Sequence, residues 1–218
     1  MTTTSVRGIR SNRRGMNESE ILRRDSELLH IVDNWLVKAN RAGGENIACH
    51  LGCAQCCYGA FAISRLDAQR LQRGLSLLAD HDLERAQHLV QRSADWLERN
   101  VDFFPGDMET GILHETPEAD EIFEEFANDE PCPALDPETK TCDLYEHRPM
   151  TCRVFGPVVR GEDGLGTCEL CFTTATPKEI AAAEVPLEGA DAEDALNADM
   201  ERASGKGRTI VAFALLGA

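Results

Sequence analysis

Residues 49–57 read Cys49-His50-Leu51-Gly52-Cys53-Ala54-Gln55-Cys56-Cys57, which places four thiols within nine positions. A C-x2-C pair such as Cys53/Cys56 closes a short loop from which both sulfurs can reach one ion. Gly52 lets the backbone turn tightly beside it. Neighbouring side chains diverge, so Cys56 and Cys57 are more naturally shared between two metals, or two irons of one cluster, than seated on a single ion. The stretch is too short for regular structure and predicts a loop organised by whatever its sulfurs bind. Inert buried cysteines or a redox dithiol are the alternatives.

Working outward, a second group of thiols lies at Cys132, Cys142, Cys152, Cys168 and Cys171, ending in another C-x2-C pair. Pro131, Pro133, Pro137, Pro149 and Pro157 fall within or beside it, which argues against a long helix or a central strand. A loop-rich segment of this kind needs a tie other than backbone ladders, and a bound metal supplies one because its binding energy acts as folding energy. Leu135, Leu144, Tyr145, Val154 and Phe155 between the thiols could screen such a centre from water. Arg148 and Arg153 bracket Cys152. They would either offset thiolate charge and donate N–H groups to sulfur, or pair with Glu146 or Asp143. His50 and His147 stand near the clusters, but nine thiols already exceed the eight that two four-coordinate ions require.

The compartment matters to this reading. The chain has 218 residues and a formal net charge of −16. That charge argues against a nucleic-acid partner, which calls for a basic face, and against a polybasic membrane-surface helix. No run approaches the roughly 20 apolar residues of a membrane span, and the N-terminus lacks the apolar core of a secretory signal. The expectation is a cytoplasmic protein with no membrane association. Disulfides are rare there, and an odd count of nine cysteines cannot be fully paired within one chain.

Around the thiols the pattern is helical. Asn17–Asn40 carries Leu28, Ile31, Val32, Trp35 and Leu36 at spacings of three and four, and Gly43-Gly44 stops it. Ser64-Arg65-Leu66-Asp67 is a capping-box signature opening a helix to about Ala79, with Leu66, Leu71, Leu75 and Leu78 on its apolar side. Asp80 is the expected cap of the next helix, whose stripe is Leu83, Ala86, Leu89, Val90 and Leu97. The two would form a helical hairpin. Gly106–Asp143 holds thirteen acids and one base, Lys140. Thr116-Pro117-Glu118 predicts a helix start with Ile122, Phe123 and Phe126 as its apolar edge. This acidic block reads as a solvated helix and linker, or as a docking face for a basic protein partner. Thr176-Pro177-Lys178-Glu179 is another helix start. An Ala-rich acidic stretch follows, and Ile210–Leu216 is compatible with strand or helix.

Two long matches carry a family resemblance. Cys53-Ala54-Gln55-Cys56-Cys57 is similar to the end of a CxxCxxCC motif, and Cys132-Pro133-Ala134-Leu135, then Cys142-Asp143-Leu144-Tyr145-Glu146-His147-Arg148-Pro149-Met150-Thr151-Cys152-Arg153-Val154-Phe155, fits CPxL…C…YExRPxxCRxF. The chain thus resembles the YkgJ-like group of bacterial cysteine-cluster proteins over about residues 45–173. Its first motif is C-x3-C-x2-C-C, one residue longer than the family's, and it has both Cys168 and Cys171 where the family usually offers one. The resemblance implies metal chelation by eight thiols, zinc or iron, which includes a 4Fe–4S cluster. A flagellin lysine methylase looks similar in this motif, and other relatives are called iron–sulfur oxidoreductases. The rival reading is therefore an iron–sulfur oxidoreductase or an accessory to a protein methyltransferase reaction. No dinucleotide, P-loop or zinc-protease motif accompanies it.

The expected molecule is a small, mainly α-helical domain with a loop-rich cysteine-cluster metal core. Its metal ligands are drawn from Cys49, Cys53, Cys56, Cys57, Cys132, Cys142, Cys152, Cys168 and Cys171. A flexible basic tail spans residues 1–16, the chelating domain 17–176, and an acidic Ala-rich tail 177–218.

Overall fold

The computed structural model describes residues 16–161, 164–186 and 188–217. The basic segment expected over 1–16 lies outside the described residues except for Met16. Among the described residues the fold is mainly α: eight α-helices, with strands only two or three residues long. Backbone proximity divides the chain into two compact units, each interrupted in sequence.

The first unit comprises residues to His50 together with Val154–Gly205. Helix α1 (Glu18–Gly43) begins where the Asn17 side chain accepts the Glu20 N–H, and Glu18 and Glu20 place negative charge on its first turn. Ile21, Leu28, Val32, Leu36 and Ala39 form its buried stripe, while Trp35 of the expected stripe is only half-buried and lies over Gly189. Helix α6 (Pro177–Ala182) opens with the capping box of Thr176 and Glu179. The Ala-rich stretch forms helix α7 (Glu188–Ser204), with Ala192, Leu196 and Met200 buried at a spacing of four, and α7 and α6 both pack on α1. A small hairpin pairs Val159–Gly161 with Gly164–Gly166. Val158, Cys168, Cys171, Phe172 and Ala183 form a compact apolar cluster.

The second unit comprises Leu51–Arg153 and Lys206–Ala218. Helix α2 (Arg65–His81) carries the expected capping box, with Ser64 accepting the Asp67 N–H and Asp67 accepting the Ser64 N–H. It runs two residues past Ala79, and Asp82 rather than Asp80 caps helix α3 (Leu83–Asn100), accepting the Arg85 N–H. The buried face of α3 is Ala86, Leu89, Ser93 and Trp96, while Leu83 and Val90 are exposed. An arc through 86, 89, 93 and 96 excludes both, because the helix rotates Val90 a further 100° beyond Leu89. Thr116 caps helix α4 (Pro117–Glu125), where Phe126 is buried but Ile122 is exposed.

The last segment resolves as both candidates in turn. Thr209–Ile210 pairs antiparallel with Ala62–Ile63, and Val211–Leu216 continues as helix α8 against α2 and α3. Val211, Ala214 and Leu215 meet Ile63, Leu71 and Leu89 in one core. Ile210, Ala212 and Phe213 meet Trp96, Phe104 and Phe126 in another. The cysteine loops of this unit are thus laid over a helical scaffold with its own apolar interior.

Candidate metal centre

Six of the nine thiols belong to the second unit: Cys53, Cys56, Cys57, Cys132, Cys142 and Cys152. Gly52 adopts φ +89°, the left-handed turn its position calls for. A single 3-10 turn, Gln55–Cys57, then carries the adjacent pair. The Pro-rich segment is brought alongside by backbone bonds. The Cys132 N–H donates to the Cys57 carbonyl at 2.7 Å, and the Gly59 N–H donates to the Glu130 carbonyl at 2.9 Å.

Between Cys132 and Cys142 the chain doubles back. Leu135 bridges Cys142, the Asp143 N–H donates to the Ala134 carbonyl at 2.8 Å, and the Asp136 carboxylate accepts the Glu138 and Thr139 N–H groups at 2.8 Å each. A short helix α5 (Met150–Val154) then carries Cys152. Its first N–H, on Met150, donates to Asp67 Oδ1 at 2.9 Å. The same Asp67 oxygen accepts from the buried Arg70 guanidinium at 2.5 Å. One carboxylate therefore caps α2, neutralises Arg70 and holds the segment that bears Cys152.

Asp143 is a second anchor. Its side chain is fully buried and is gripped by Arg85 and Arg92 of α3, while Arg92 Nε also donates to the Pro133 carbonyl at 3.0 Å. The sequence reading offered Asp143 to Arg148 or Arg153; the arginines that hold it come from α3. The signal for them was the i, i+7 spacing of Arg85 and Arg92, two turns apart on one helix face. Arg148 lies over the Tyr145 ring, 3.7 Å from its centroid, and donates to the Tyr145 carbonyl at 2.5 Å. Arg153, buried, donates to the Glu146 carbonyl at 2.5 Å.

The thiols sense one another. The Cys57 thiol donates to Cys56, and this bond, with Arg148 nearby, brings Cys56 down to about 6 against the pull of its own burial. Cys57 is pushed strongly upward by the same bond, by burial, and by the charges of Cys56, Cys132 and Cys142. Burial, then Cys142, lifts Cys132 to about 12, and burial followed by Cys132, Cys142 and Cys56 lifts Cys152 to about 12. Burial raises Cys142 as well. These sulfurs are near enough that they cannot all ionise without a cation among them. Cys56 is the one predisposed to do so, and in metal-free protein at pH 7 it should be alkylated by iodoacetamide before Cys57, Cys132, Cys142 and Cys152. Peptide mapping of a brief labelling pulse checks this, and first labelling of Cys132 or Cys152 would contradict it.

The other three thiols belong to the first unit. Cys168 and Cys171 are buried, Cys49 is exposed, and the Cys49 and Cys171 sulfurs stand 3.9 Å apart. Among the described residues, which include all nine cysteines, none is joined in a disulfide. His50 is exposed, with Nδ1 2.8 Å from the Ala48 carbonyl oxygen. His147 is held toward the neutral form by burial, Arg73 and Arg153. Among the described residues, no three His, Cys, Asp or Glu side chains already surround one point as an ion would require. Thiols suit a soft metal in chemistry, and backbone bonds bring two of the segments that carry them together.

A mainly helical protein that carries nine thiols, several on neighbouring loops over an apolar scaffold, is a cysteine-cluster protein. A family model, CxxCxxCC, described as "Putative zinc- or iron-chelating domain", matches residues 48–172, more than half of the chain, and the chain belongs to this family. Searches of curated proteins and of solved structures found no match. Among the described residues no helix is long and apolar enough to cross a membrane.

Proposed function

We propose that this is a metal-chelating protein that holds zinc or iron through cysteine thiolates, with Cys53, Cys56, Cys57, Cys132, Cys142 and Cys152 as its principal donor group. The observation that carries the reading is the convergence of three chain segments: the 53–57 loop, the 132–142 loop and the start of α5. Backbone bonds join the first two, and Asp67 ties down the third. Four of these thiols, Cys57, Cys132, Cys142 and Cys152, hold their protons more tightly than an ordinary thiol, and a divalent cation would turn that crowding into binding. Bound there, zinc would supply structural cross-linking and iron would supply redox capacity.

The chain's own residues prepare the place. Arg148 lowers the cost of ionising Cys56 and Cys142. Leu135 and Leu144, both buried, and the core contact of Cys132 and Cys142 limit the access of water. Asp143 and its two arginines fix the loop between the donors. An iron–sulfur oxidoreductase, or an accessory to a protein methyltransferase reaction, is the version of this reading in which the bound group is an iron–sulfur cluster.

Elemental analysis and an absorption spectrum on anaerobically purified protein test the proposal. Chelation predicts at least about one zinc or iron per chain, colourless for zinc and brown with absorption near ~400 nm for an iron–sulfur centre. A folded, reduced sample free of both metals would overturn it.

A further inference from the structure

The thiols outside the six-thiol group include a pair in close contact. Cys168 and Cys171 sit on one turn, closed by the Cys171 N–H donating to the Cys168 carbonyl at 2.8 Å. The next residue, Phe172, donates its N–H to the Asn46 carbonyl at 2.7 Å, and this backbone bond brings the segment carrying Cys49 alongside. The Cys49 and Cys171 sulfurs then stand 3.9 Å apart, although 122 positions separate the two residues in sequence. Both residues belong to the first unit.

The two sulfurs differ in their access to water. Cys49 is exposed, whereas Cys171 is 3% exposed and packs in the cluster of Val158, Phe172 and Ala183. Gly156 leaves the space that the Cys49 sulfur uses. It adopts φ +113°, and a Cβ there would come within 2.7 Å of that sulfur. The Thr167 hydroxyl donates to the Gly156 carbonyl at 2.7 Å and fixes this backbone. An exposed thiol with a second thiol poised beside it is the arrangement of an oxidisable cysteine and its resolving partner. A disulfide holds its sulfurs at about 2.05 Å, so the pair needs to close by roughly 1.9 Å to form one.

We propose that Cys49 and Cys171 form a reversible dithiol–disulfide site whose oxidant is a small, neutral hydroperoxide. A neutral oxidant suits a chain whose net charge of −16 repels anions. With hydrogen peroxide, the Cys49 thiolate attacks one peroxide oxygen. The O–O bond breaks, the other oxygen leaves as hydroxide and takes up a proton to become water, and Cys49 becomes a sulfenic acid. The Cys171 thiolate then attacks the Cys49 sulfur. An S–S bond forms, the S–O bond breaks, and the departing hydroxide takes up the proton that Cys171 released, giving the second water. The two thiols lose two electrons, which the peroxide gains, and an external dithiol reverses the change by exchange. The site uses none of the six donors proposed above, so the two readings stand or fall separately.

The test treats the reduced full-length chain with hydrogen peroxide, caps unreacted thiols with N-ethylmaleimide and maps the unreduced peptides by mass spectrometry. The expected product is a Cys49–Cys171 cross-linked pair that disappears with dithiothreitol. In Cys171→Ser the Cys49 sulfenic acid has no resolving thiol, so dimedone should tag Cys49 about tenfold or more above its level in the unmutated chain. Cys168→Ser should keep the Cys49–Cys171 link. Linkage of Cys49 to Cys53 or Cys168 instead overturns the proposal, as does oxidation of Cys49 to a sulfinic or sulfonic acid without a link. Complete capping of Cys49 by N-ethylmaleimide after peroxide, or equal dimedone tagging with and without Cys171, overturns it too. A chain that forms this link but holds neither zinc nor iron would refute the chelating reading and support this one.

Discussion

Asp67→Ala will lower the unfolding free energy of the second unit by about 4 kcal/mol, one of the largest single-residue effects expected in this chain. Three losses coincide. The α2 capping box loses its carboxylate partner for the Ser64 N–H and hydroxyl. The Arg70 guanidinium, only 2% exposed at its side chain, keeps its charge in an apolar setting without this carboxylate. The Met150 N–H loses its acceptor at the start of α5, two residues before Cys152. A surface ion pair would contribute about 0–1 kcal/mol, but here the partner left behind is buried, and desolvation sets the magnitude. Asp67→Asn retains an acceptor for Met150 while removing the charge, so its loss should be smaller. Thermal melts of the metal-loaded protein check the order, and the Ala variant should also bind less metal because Cys152 is no longer held. A melt unchanged within about 2 °C would show that this carboxylate does not anchor the unit.

Cys142→Ser should remove metal from the six-thiol group and, with it, the order of the 131–149 segment. Metal binding to thiolate sites that fold with their ion is worth on the order of 10–16 kcal/mol, so loss of one donor is expected to outweigh any packing change in a near-isosteric substitution. The helices α2, α3 and α8 keep their own cores through Leu71, Leu89, Val211 and Leu215. Chelation or Cys142→Ser should therefore leave most of the helical circular dichroism while exposing the loop to protease. The measurement is limited proteolysis with and without chelator, read beside metal content and the melting curve. Unchanged metal content would remove Cys142 from the donor set. Complete loss of helix would mean that the apolar cores cannot hold the second unit alone.

Much of this architecture was legible before any coordinates. Helix starts at Asn17, Ser64, Thr116 and Thr176 were readable because a cap is a local bargain between one side chain and the nearest backbone N–H groups. The boundary between α2 and α3 falls two residues later than expected, since Asp80 and Asp82 are both able to cap and Asp82 is the one that accepts the Arg85 N–H. Val90 is read by spacing into the stripe of α3 and Ile122 into the apolar edge of α4, yet both are exposed. Composition marks a residue as able to be buried, and the neighbouring helix decides whether it is. The Ala-rich stretch showed too little periodicity to be read as a helix because alanine contributes a flat surface rather than a ridge. Packing against α1 makes α7 coherent.

The residues alone determined a thiol-rich, acidic chain with helical flanks and a Pro-interrupted segment, and the family it matches is described as zinc- or iron-chelating. Thiol count, spacing and charge are properties of the chain and survive any arrangement of it. Only the tertiary structure decided which segments keep company, setting Cys132 beside Cys57 through a backbone bond and the Cys171 sulfur 3.9 Å from that of Cys49. It likewise placed Asp67 against the Met150 N–H and Asp143 between Arg85 and Arg92. Those pairings join residues 51 to 122 positions apart. Contacts at that range are set by how helices and loops pack, and no local pattern records them.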